Sequence, residues 1–306
     1  MKKKFCITLV ALMIAMTAIA FAGCGGGGGD AAKEDEASSV GVIGDADSPT
    51  AIVPDAEEDQ SATESDIAYV KGNGSLKIGI TIFAPMNYYD DDGKLIGFDT
   101  EFAEAVCAKL GVKPEFIEIN WDTKELELQS KNIDCIWNGF TVTPERAQEI
   151  LFTDSYMKNM QVAVIRAKDA DKYKTVEDMA KANIVAELGS AGEEAVISTG
   201  SGLETAPYTA MPKQTDALME VKAGTADIAV LDYTAAKSMV GEGTNYSDLM
   251  MAPGIELNAE EYAVGFRLGS DIVPEANKAI AELTEDGTLD EIADKYELTA
   301  SLISNQ

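Results

Sequence analysis

The absence of histidine limits the catalytic and metal-binding groups that this chain could form. The 306-residue chain contains no histidine and only four cysteines. Without histidine, a Ser-His-Asp or Cys-His catalytic group and a histidine-ligated metal site are excluded. Cys107 falls on the apolar face of a predicted helix and Cys135 in a predicted strand, which favours two buried free thiols over a disulfide. We therefore expect no catalytic residues, no metal and no cofactor.

The residues before Cys24 form a pattern that predicts a separate role for this cysteine. A basic start at residues 1–4 and an apolar run over residues 5–22 lead into Gly23 and Cys24, the layout of a secretory signal that ends at a cleavage site. The segment from Phe21 to Cys24 resembles a bacterial lipobox, which implies cleavage before Cys24 and diacylation of its sulfur. The alternative is an uncleaved transmembrane anchor, but the run is near the lower length limit for a span and lacks a charged stop. We expect residues 1–23 to be a signal peptide and the mature protein to be lipid-anchored on the outer face of the cell membrane.

The stretch after Cys24 is strongly polar. Residues 25–73 hold a glycine run followed mainly by Ala, Asp, Glu and Ser, and a segment of this composition buries too little apolar surface to fold. We predict that residues 24–73 are the lipidated cysteine and a disordered tether. Over the whole chain 53 acidic residues stand against 24 basic ones, so nucleic acid is not expected as a partner because phosphate binding needs a positive field.

From Leu76 onward, β-like and helical segments alternate, which predicts an α/β fold with mostly parallel sheets. A strand is predicted at 76–81 and a helix at 99–110 that ends before Gly111. Thr143-Pro144 is typical of an N-cap followed by the first helical position, so a short helix is predicted at 144–148. A strand at 228–231 delivers Asp232 to its carboxyl end.

Three further element boundaries follow from local signals. Asp122 is predicted to cap a helix that runs to Ser130. Gly189-Ser190 precedes a predicted helix at 192–198, and free N–H groups with the positive end of a helix dipole could bind a carboxylate there. A continuous strand is predicted at 262–267.

Several sequence motifs occur in an order that resembles one protein family. They are GFDTEF at 97–102, TVTPER at 141–146, FTD at 152–154 and EDGT at 285–288. Together they resemble the family 3 bacterial solute-binding proteins, the polar amino-acid binders of ABC importers. The resemblance implies a two-lobed periplasmic-binding-protein-like (type II) α/β fold with two hinge-crossing strands. Lobe I would comprise residues 74–160 and 261–306, and lobe II residues 161–260.

The resemblance also implies how the α-groups of an amino acid would be held. Arg146 corresponds to the family's carboxylate-binding arginine, and a guanidinium can grip a carboxylate through two parallel bonds. Asp232 corresponds to the aspartate that receives the α-ammonium. Without the resemblance, Arg146 would be interpreted as a surface arginine paired with Glu145 or Glu149 and Asp232 as an ordinary strand-end acid. Further backbone or polar contacts to the ligand are implied at Thr141, Gly139, Asn138, Ser190 and Ala191.

The pocket for the ligand's side chain departs from the commonest family pattern, because the segment after the first strand is one residue shorter. Trp121 falls where selectivity is often set, and Phe83 where an aromatic often covers the ligand, with core packing as the alternative for both. Tyr88 is a lesser candidate. Lys124 stands where relatives often carry an apolar residue, so it either meets a polar ligand group or is a solvated helix lysine.

The sequence therefore indicates an extracytoplasmic, monomeric, non-enzymatic protein that captures an amino acid by closure of two lobes and passes it to an ABC permease. One alternative is a cyclohexadienyl-dehydratase-like enzyme, which resembles this fold. A sensory domain and a surface antigen that has lost the site are the others.

Overall fold

The computed structural model describes residues 65–305. The predicted signal peptide, Cys24 and the predicted tether up to residue 64 lie outside these residues. The tether prediction is wrong for its last part, because Asp66–Asn73 form a helix. Ser65 caps this helix by accepting a hydrogen bond from the N–H of Ala68, and Val70 is fully buried against the rest of the fold. One well-placed cap and one apolar anchor thus order a segment whose average composition is polar.

The elements of the described residues alternate between strands and helices, as predicted. In chain order, the strands are β1 Ser75–Ile80, β2 Tyr88–Tyr89, β3 Leu95–Ile96, β4 Lys113–Glu118, β5 Cys135–Ile136, β6 Ile150–Phe152, β7 Met157–Arg166, β8 Ile184–Glu187, β9 Tyr208–Met211, β10 Ile228–Asp232, β11 Leu249–Tyr262 and β12 Gly265–Arg267. The α-helices are α1 Asp66–Asn73, α2 Phe98–Leu110, α3 Lys124–Gln129, α4 Val176–Met179, α5 Ala191–Ile197, α6 Gln214–Ala223, α7 Tyr233–Met239, α8 Ile272–Glu285 and α9 Thr288–Lys295. Within residues 65–305, no helix combines the length and the apolarity needed to cross a bilayer.

Two five-stranded sheets organise the two lobes. The first has the order β4-β1-β5-β12-β6, with β1 parallel to β4 and β5, and β12 antiparallel to β5 and β6. The second has the order β11-β7-β10-β8-β9, with β8 parallel to β10 and β9. Because β8 and β10 run in the same direction, their carboxyl ends lie at one edge of the second sheet and place Glu187 and Asp232 there.

Strands β7 and β11 carry the chain between the lobes. β7 follows the last first-lobe strand before the crossing, and β11 leads back to β12 of the first sheet. They pair with each other antiparallel from Met157–Tyr262 to Arg166–Leu249, with register shifts between Met251 and Ala259. These two strands are the hinge of the molecule, which we call the hinge strands.

The apolar core explains the periodicity seen in the sequence. On α2, Phe98, Phe102, Val106 and Cys107 are buried. The ring of Phe102 meets Trp137 edge-on, with centroids 5.2 Å apart. Both cysteines of the described residues, Cys107 and Cys135, are free and buried, which confirms that prediction.

Three local predictions differ from the structure. α3 begins at Lys124, preceded by a 3₁₀ turn at Trp121–Thr123, and Asp122 does not cap it. The segment after Pro144 is a 3₁₀ turn at Arg146–Gln148 and not an α-helix. The strand predicted at 262–267 is interrupted, since β11 ends at Tyr262 and β12 begins at Gly265. In each case the chain changes direction beside the cleft, where tertiary contacts outweigh local propensity.

Candidate functional site

A small cavity lies between the two lobes and collects most of the residues singled out from the sequence. The first lobe lines it with Thr81, Phe83, Trp121, Asn138, Gly139, Thr141 and Arg146, and the second with Ser190, Ala191, Gln214 and Asp232. Its free interior is about 10 Å³, roughly the space of one water molecule. The lobes are therefore closed on each other in this structure.

Arg146 is the buried cation of the first lobe. Its guanidinium lies over the ring of Phe140, 5.0 Å from the centroid, and its Nη1 donates to the carbonyl of Thr141 at 2.9 Å. Its Nη2 reaches the second lobe, 3.2 Å from the carbonyl oxygen of Gly189 and 3.5 Å from a carboxylate oxygen of Glu194. The interpretation of Arg146 as a surface arginine is wrong, because only 7% of the residue is exposed.

Asp232 is the buried anion opposite, at the end of β10. Its Oδ1 accepts hydrogen bonds from Asn159 at 2.7 Å, Gln161 at 3.0 Å and the hydroxyl of Tyr262 at 2.6 Å. Its Oδ2 accepts one from the side chain of Gln214 at 2.6 Å. All four donors are neutral, so the charge of Asp232 is oriented but not compensated by a cation. An ammonium group in the cavity would supply that compensation.

Two further carboxyl groups surround Asp232. Glu260, on hinge strand β11, accepts hydrogen bonds from the same amides of Asn159 and Gln161. Burial, followed by the negative charge of Asp232, raises the pKa of Glu260 to about 8. The same two causes raise the pKa of Glu187 to about 8. The second-lobe face of the site is thus rich in carboxyl groups, and burial beside Asp232 favours the neutral form of two of them.

A tight turn at Gly139 brings the backbone up to the cavity. Gly139 has φ of 56°, and a Cβ there would lie 2.8 Å from the ring of Phe83. Its N–H donates to the carboxylate of Asp99 at 2.6 Å, and the hydroxyl of Tyr156 donates to the same group at 2.8 Å. Burial raises the pKa of Asp99 to about 7. Only glycine fits this position without displacing its neighbours.

The other residues predicted to contact the ligand's α-groups line the cavity, but some of their polar side chains are already hydrogen-bonded within the protein. Thr141 and Ala191 line the cavity. Ser190 also lines it, but its hydroxyl caps α5 by accepting from the N–H of Glu193. The side chain of Asn138 is already engaged, since its amide donates to Thr81 and Asn87 and its oxygen accepts from Thr81. Asn138 therefore shapes the loop after β1 more than it offers free polar atoms.

Of the three aromatic residues predicted to contact the ligand's side chain, two line the cavity and one lies elsewhere. Trp121 and Phe83 line it, with 8% and 7% of their surfaces exposed. Tyr88 is absent from the lining; its ring packs on edge against Tyr296, 6.5 Å between centroids. The structure thus places Tyr88 elsewhere, contrary to the prediction, because β2 and β3 form a small hairpin directed at α9.

Lys124 is not a solvated lysine. It is 3% exposed, and its Nζ donates to the carbonyl of Gly189 in the other lobe at 3.0 Å and contacts Glu125 at 3.1 Å. The ammonium lies 5.0 Å from the centre of the Trp121 ring. Burial, followed by the positive charge of Arg146, lowers its pKa.

Sequence reasoning missed several residues of the site. Thr81 and Gln214 line the cavity. On the hinge strands, Asn159 and Gln161 donate hydrogen bonds both to Asp232 and to Glu260. The alternation of polar residues along β7 was the available signal, since Asn159 and Gln161 are two apart and share one face of the strand. Among the described residues no group of histidine, cysteine and acidic side chains is arranged to hold a metal ion.

Comparison with known proteins identifies a family. The model of the bacterial extracellular solute-binding proteins, family 3, matches residues 76–299. Among curated proteins, the L-cystine-binding protein TcyJ of Escherichia coli strain K12 is 30% identical over 237 residues, which cover 77% of this chain and 87% of the relative.

Solved structures support the same assignment. A substrate-binding protein of an ABC uptake transporter from Streptococcus pneumoniae, with bound histidine, has a TM-score of 0.69 and 31% identity, covering 76% of this chain and 96% of that one. An ancestral amino acid-binding protein, AncCDT-1, described as a precursor of cyclohexadienyl dehydratase, has a TM-score of 0.69 and 28% identity, covering 76% and 99%. The two-lobed fold predicted from the sequence is confirmed.

Proposed function

Because the chain belongs to the family 3 bacterial extracellular solute-binding proteins, we propose that it captures an α-amino acid between its lobes and delivers it to an ABC importer. The observation that supports this proposal most directly is that Arg146 of one lobe and Asp232 of the other line the same buried cavity. An amino acid presents a carboxylate and an ammonium on one carbon, so a cation and an anion facing each other across a closing cleft match it.

Ligand capture replaces contacts that the lobes make with each other. The Nη2 of Arg146 is directed at the Gly189 carbonyl and Glu194, and a ligand carboxylate would take over this donor through a bidentate grip. The ammonium would meet Asp232 beside Gln214. Because both lobes must contact one small molecule, the ligand favours the closed form over the open one.

The similar proteins support amino acids as the ligand class. The E. coli relative is a cystine-binding protein, and the S. pneumoniae structure holds histidine. The neighbour related to cyclohexadienyl dehydratase is itself described as an amino acid-binding protein. We therefore keep the enzyme as the alternative and favour binding without chemistry.

The test is a thermal-shift screen of the full chain against the natural amino acids and cystine, followed by calorimetry of each hit. A ligand at about one hundred times its dissociation constant should stabilise the fold by about 2.7 kcal/mol. Arg146→Lys should weaken every hit at least about tenfold, because a point charge cannot reproduce the bidentate grip. The proposal fails if no amino acid binds, or if arogenate or prephenate is turned over.

The membrane attachment is a separate proposal that rests on the sequence. Cleavage before Cys24 and acylation of its sulfur would hold the protein, as a monomer, beside its permease on the outer face of the membrane. Cys24→Ser should leave an unprocessed precursor without the thioether-linked lipid. Mass spectrometry of the wild-type membrane form would contradict the proposal by finding an intact Met1 terminus.

A further inference from the structure

Lys124 lies outside the lining of the ligand cavity, but it contacts the loop of the second lobe that forms part of that lining. Its Nζ donates to the carbonyl of Gly189 at 3.0 Å, and the two residues after Gly189 line the cavity. Within the first lobe, the same ammonium donates to the carbonyl of Trp121 at 3.1 Å and pairs with Glu125 at 3.1 Å. The lysine is thus anchored in one lobe and reaches the other.

Gly189 is a point at which the backbone of the second lobe lies directly against the first. Its φ is 71°, and a Cβ there would lie 3.2 Å from the Cα of Asp122 and 3.4 Å from the Nζ of Lys124. A carboxylate of α5 accepts a hydrogen bond from its N–H at 2.7 Å, and the next residue, Ser190, caps the same helix. The loop is therefore fixed within its own lobe, so a contact from the first lobe to the Gly189 carbonyl positions the cavity wall that begins at Ser190.

Two cations share this carbonyl. Besides Lys124, the Nη2 of Arg146 donates to it at 3.2 Å. Burial, followed by the positive charge of Arg146, lowers the pKa of Lys124, so the two cations oppose each other where they meet. A ligand carboxylate bound by Arg146 would offset this opposition and would leave the Gly189 carbonyl to Lys124.

From this arrangement we propose that Lys124 is a positioning residue for ligand capture, which fixes the Gly189 loop against the first lobe once a ligand carboxylate has engaged Arg146. Lys124 reaches Gly189 only when the lobes meet. The contact therefore forms after the ligand has entered and breaks before it leaves, so it slows dissociation and has little effect on association. The inference rests on the proposed function, because it assigns a residue to the closing step of that function.

Direct recognition of the ligand's side chain by Lys124 fits this geometry less well. An ammonium group has three N–H donors. The carbonyls of Trp121 and Gly189 and the carboxylate of Glu125 are three partners for them. A ligand could bind this ammonium only by breaking one of these contacts, so Lys124 should act alike on every amino acid that the cleft accepts.

Stopped-flow kinetics on the full chain tests the proposal, with L-cystine, L-arginine and L-histidine as probes. Tryptophan fluorescence provides the signal, because Trp121 lines the cavity. Lys124→Met nearly keeps the side-chain length and removes the ammonium. It should raise the dissociation rate of each probe that wild type binds at least about tenfold, since a charge-assisted hydrogen bond is lost. The association rate should change less than about threefold, and the order of affinities should be retained.

Two matched controls and a second variant accompany Lys124→Met. Glu125→Gln alters the ion pair of Lys124 within the first lobe and keeps its contact with Gly189, and Lys113→Met removes an exposed charge of the same lobe. Both should release the probes within about threefold of the wild-type rate. Lys124→Gln, which places a neutral amide in the same buried position, should speed release as Lys124→Met does.

The outcomes separate this inference from the proposed function. If no α-amino acid binds the wild-type chain, the proposed function itself fails. If amino acids bind in an Arg146-dependent manner but both Lys124 variants release them at the wild-type rate, only the role of Lys124 is overturned. A changed order of affinities in Lys124→Met, or an equal effect of Glu125→Gln, would also overturn it.

Discussion

At the scale of single residues, the site is defined by how each charge is held. Asp232 is held in place by four hydrogen bonds from neutral donors, three of which come from the hinge strands. Arg146 lies on an aromatic ring and is fixed by the Thr141 carbonyl. Both residues are therefore oriented before a ligand arrives, which reduces the entropy lost on binding.

Trp121 is the residue at which ligand preference should change. It lines the cavity and stands edge-on to Phe140, with centroids 5.6 Å apart. Trp121→Ala should alter the rank order of amino acids in a calorimetric series, because it reshapes the side-chain pocket and leaves Arg146 and Asp232 intact. A uniform loss of affinity with the same rank order would make Trp121 a packing residue.

Glu260 should make the free energy of unfolding depend on pH, and the substitution Glu260→Gln should remove this contribution. Its folded-state pKa of about 8 lies above the usual value of 4.5, so the folded protein binds the proton more tightly than the unfolded chain does. The stability of wild type relative to Glu260→Gln should therefore fall as pH rises from about 4.5 to about 8 and level off above that. Chemical denaturation of both proteins across this range measures it.

The control for this pH series is the neighbouring exposed residue, in the variant Glu261→Gln. It changes the same charge on the same strand without entering the Asn159–Gln161 network. If the stability difference between wild type and Glu260→Gln is constant from pH 4.5 to pH 8, Glu260 is charged at neutral pH and the burial argument is wrong.

The sequence predicted the residues of the site better than their partners. Arg146 stands in the TVTPER motif and Asp232 follows a predicted strand, whereas Gln161, Gln214 and Glu260 come from three separate elements that no motif marks. They meet Asp232 because of the pairing Gln161–Asp232 between β7 and β10 and Asn159–Glu260 between β7 and β11. Register between distant strands is not a local property, so a single sequence does not reveal it.

At the scale of elements, α1 fastens the chain to the first lobe. Ser65 and the N–H of Ile67 donate hydrogen bonds to Asp271, which precedes α8, and Arg267 forms an ion pair with Asp66. The predicted tether can therefore extend no further than residue 64, a limit that the composition of residues 25–73 did not indicate. Average polarity hides a short helix that is anchored by one fully buried side chain, Val70, and by the partly buried Ile67.

Asp271→Ala should loosen this clasp selectively. Two hydrogen bonds to α1 would be lost, so amide hydrogen exchange in residues 66–73 should accelerate while β1 and β5 remain protected. Asp290→Ala, an acidic-to-alanine change at the start of α9, is the matched control. Equal protection of residues 66–73 in the Asp271 variant and in wild type would show that Val70 and the Arg267–Asp66 ion pair hold the helix without Asp271.

The long hinge strand β11 shows why one element escaped prediction altogether. Its 14 residues include Pro253, Gly254 and three glutamates, features that argue against a strand. The strand persists because its register shifts lie between Met251 and Ala259, where Pro253 and Gly254 occur, and bulges tolerate such residues. The buried strands β1 and β10 were predicted because apolar residues predominate in them.

At the scale of the whole molecule, closure is set by few contacts across the cleft. Arg146 and Lys124 both donate to the carbonyl of Gly189, and Lys213 of the second lobe lies 3.5 Å from Glu118 of the first. The exposed ion pair between Lys213 and Glu118 contributes little, roughly 0–1 kcal/mol, and the two buried donors of Arg146 and Lys124 share a single carbonyl. The balance between open and closed forms should therefore depend on what occupies the Arg146–Asp232 site.

Asp232→Asn should weaken both ligand binding and ligand-induced closure. The amide can still accept hydrogen bonds from Asn159 and Tyr262, so the fold is preserved, but the ligand ammonium would be buried without its anion. Affinity should fall by at least about 2 kcal/mol, on the order of thirtyfold. At a concentration that saturates wild type, ligand-induced compaction in small-angle scattering should largely vanish, whereas Asp248→Asn, an exposed acid of the same lobe, should compact as wild type does.

Asp232→Ala should lose at least as much affinity, because it also leaves the donors of Asn159, Gln161, Gln214 and Tyr262 without their acceptor. Full compaction and near-wild-type affinity in both Asp232 variants would mean that the ammonium binds elsewhere in the cleft.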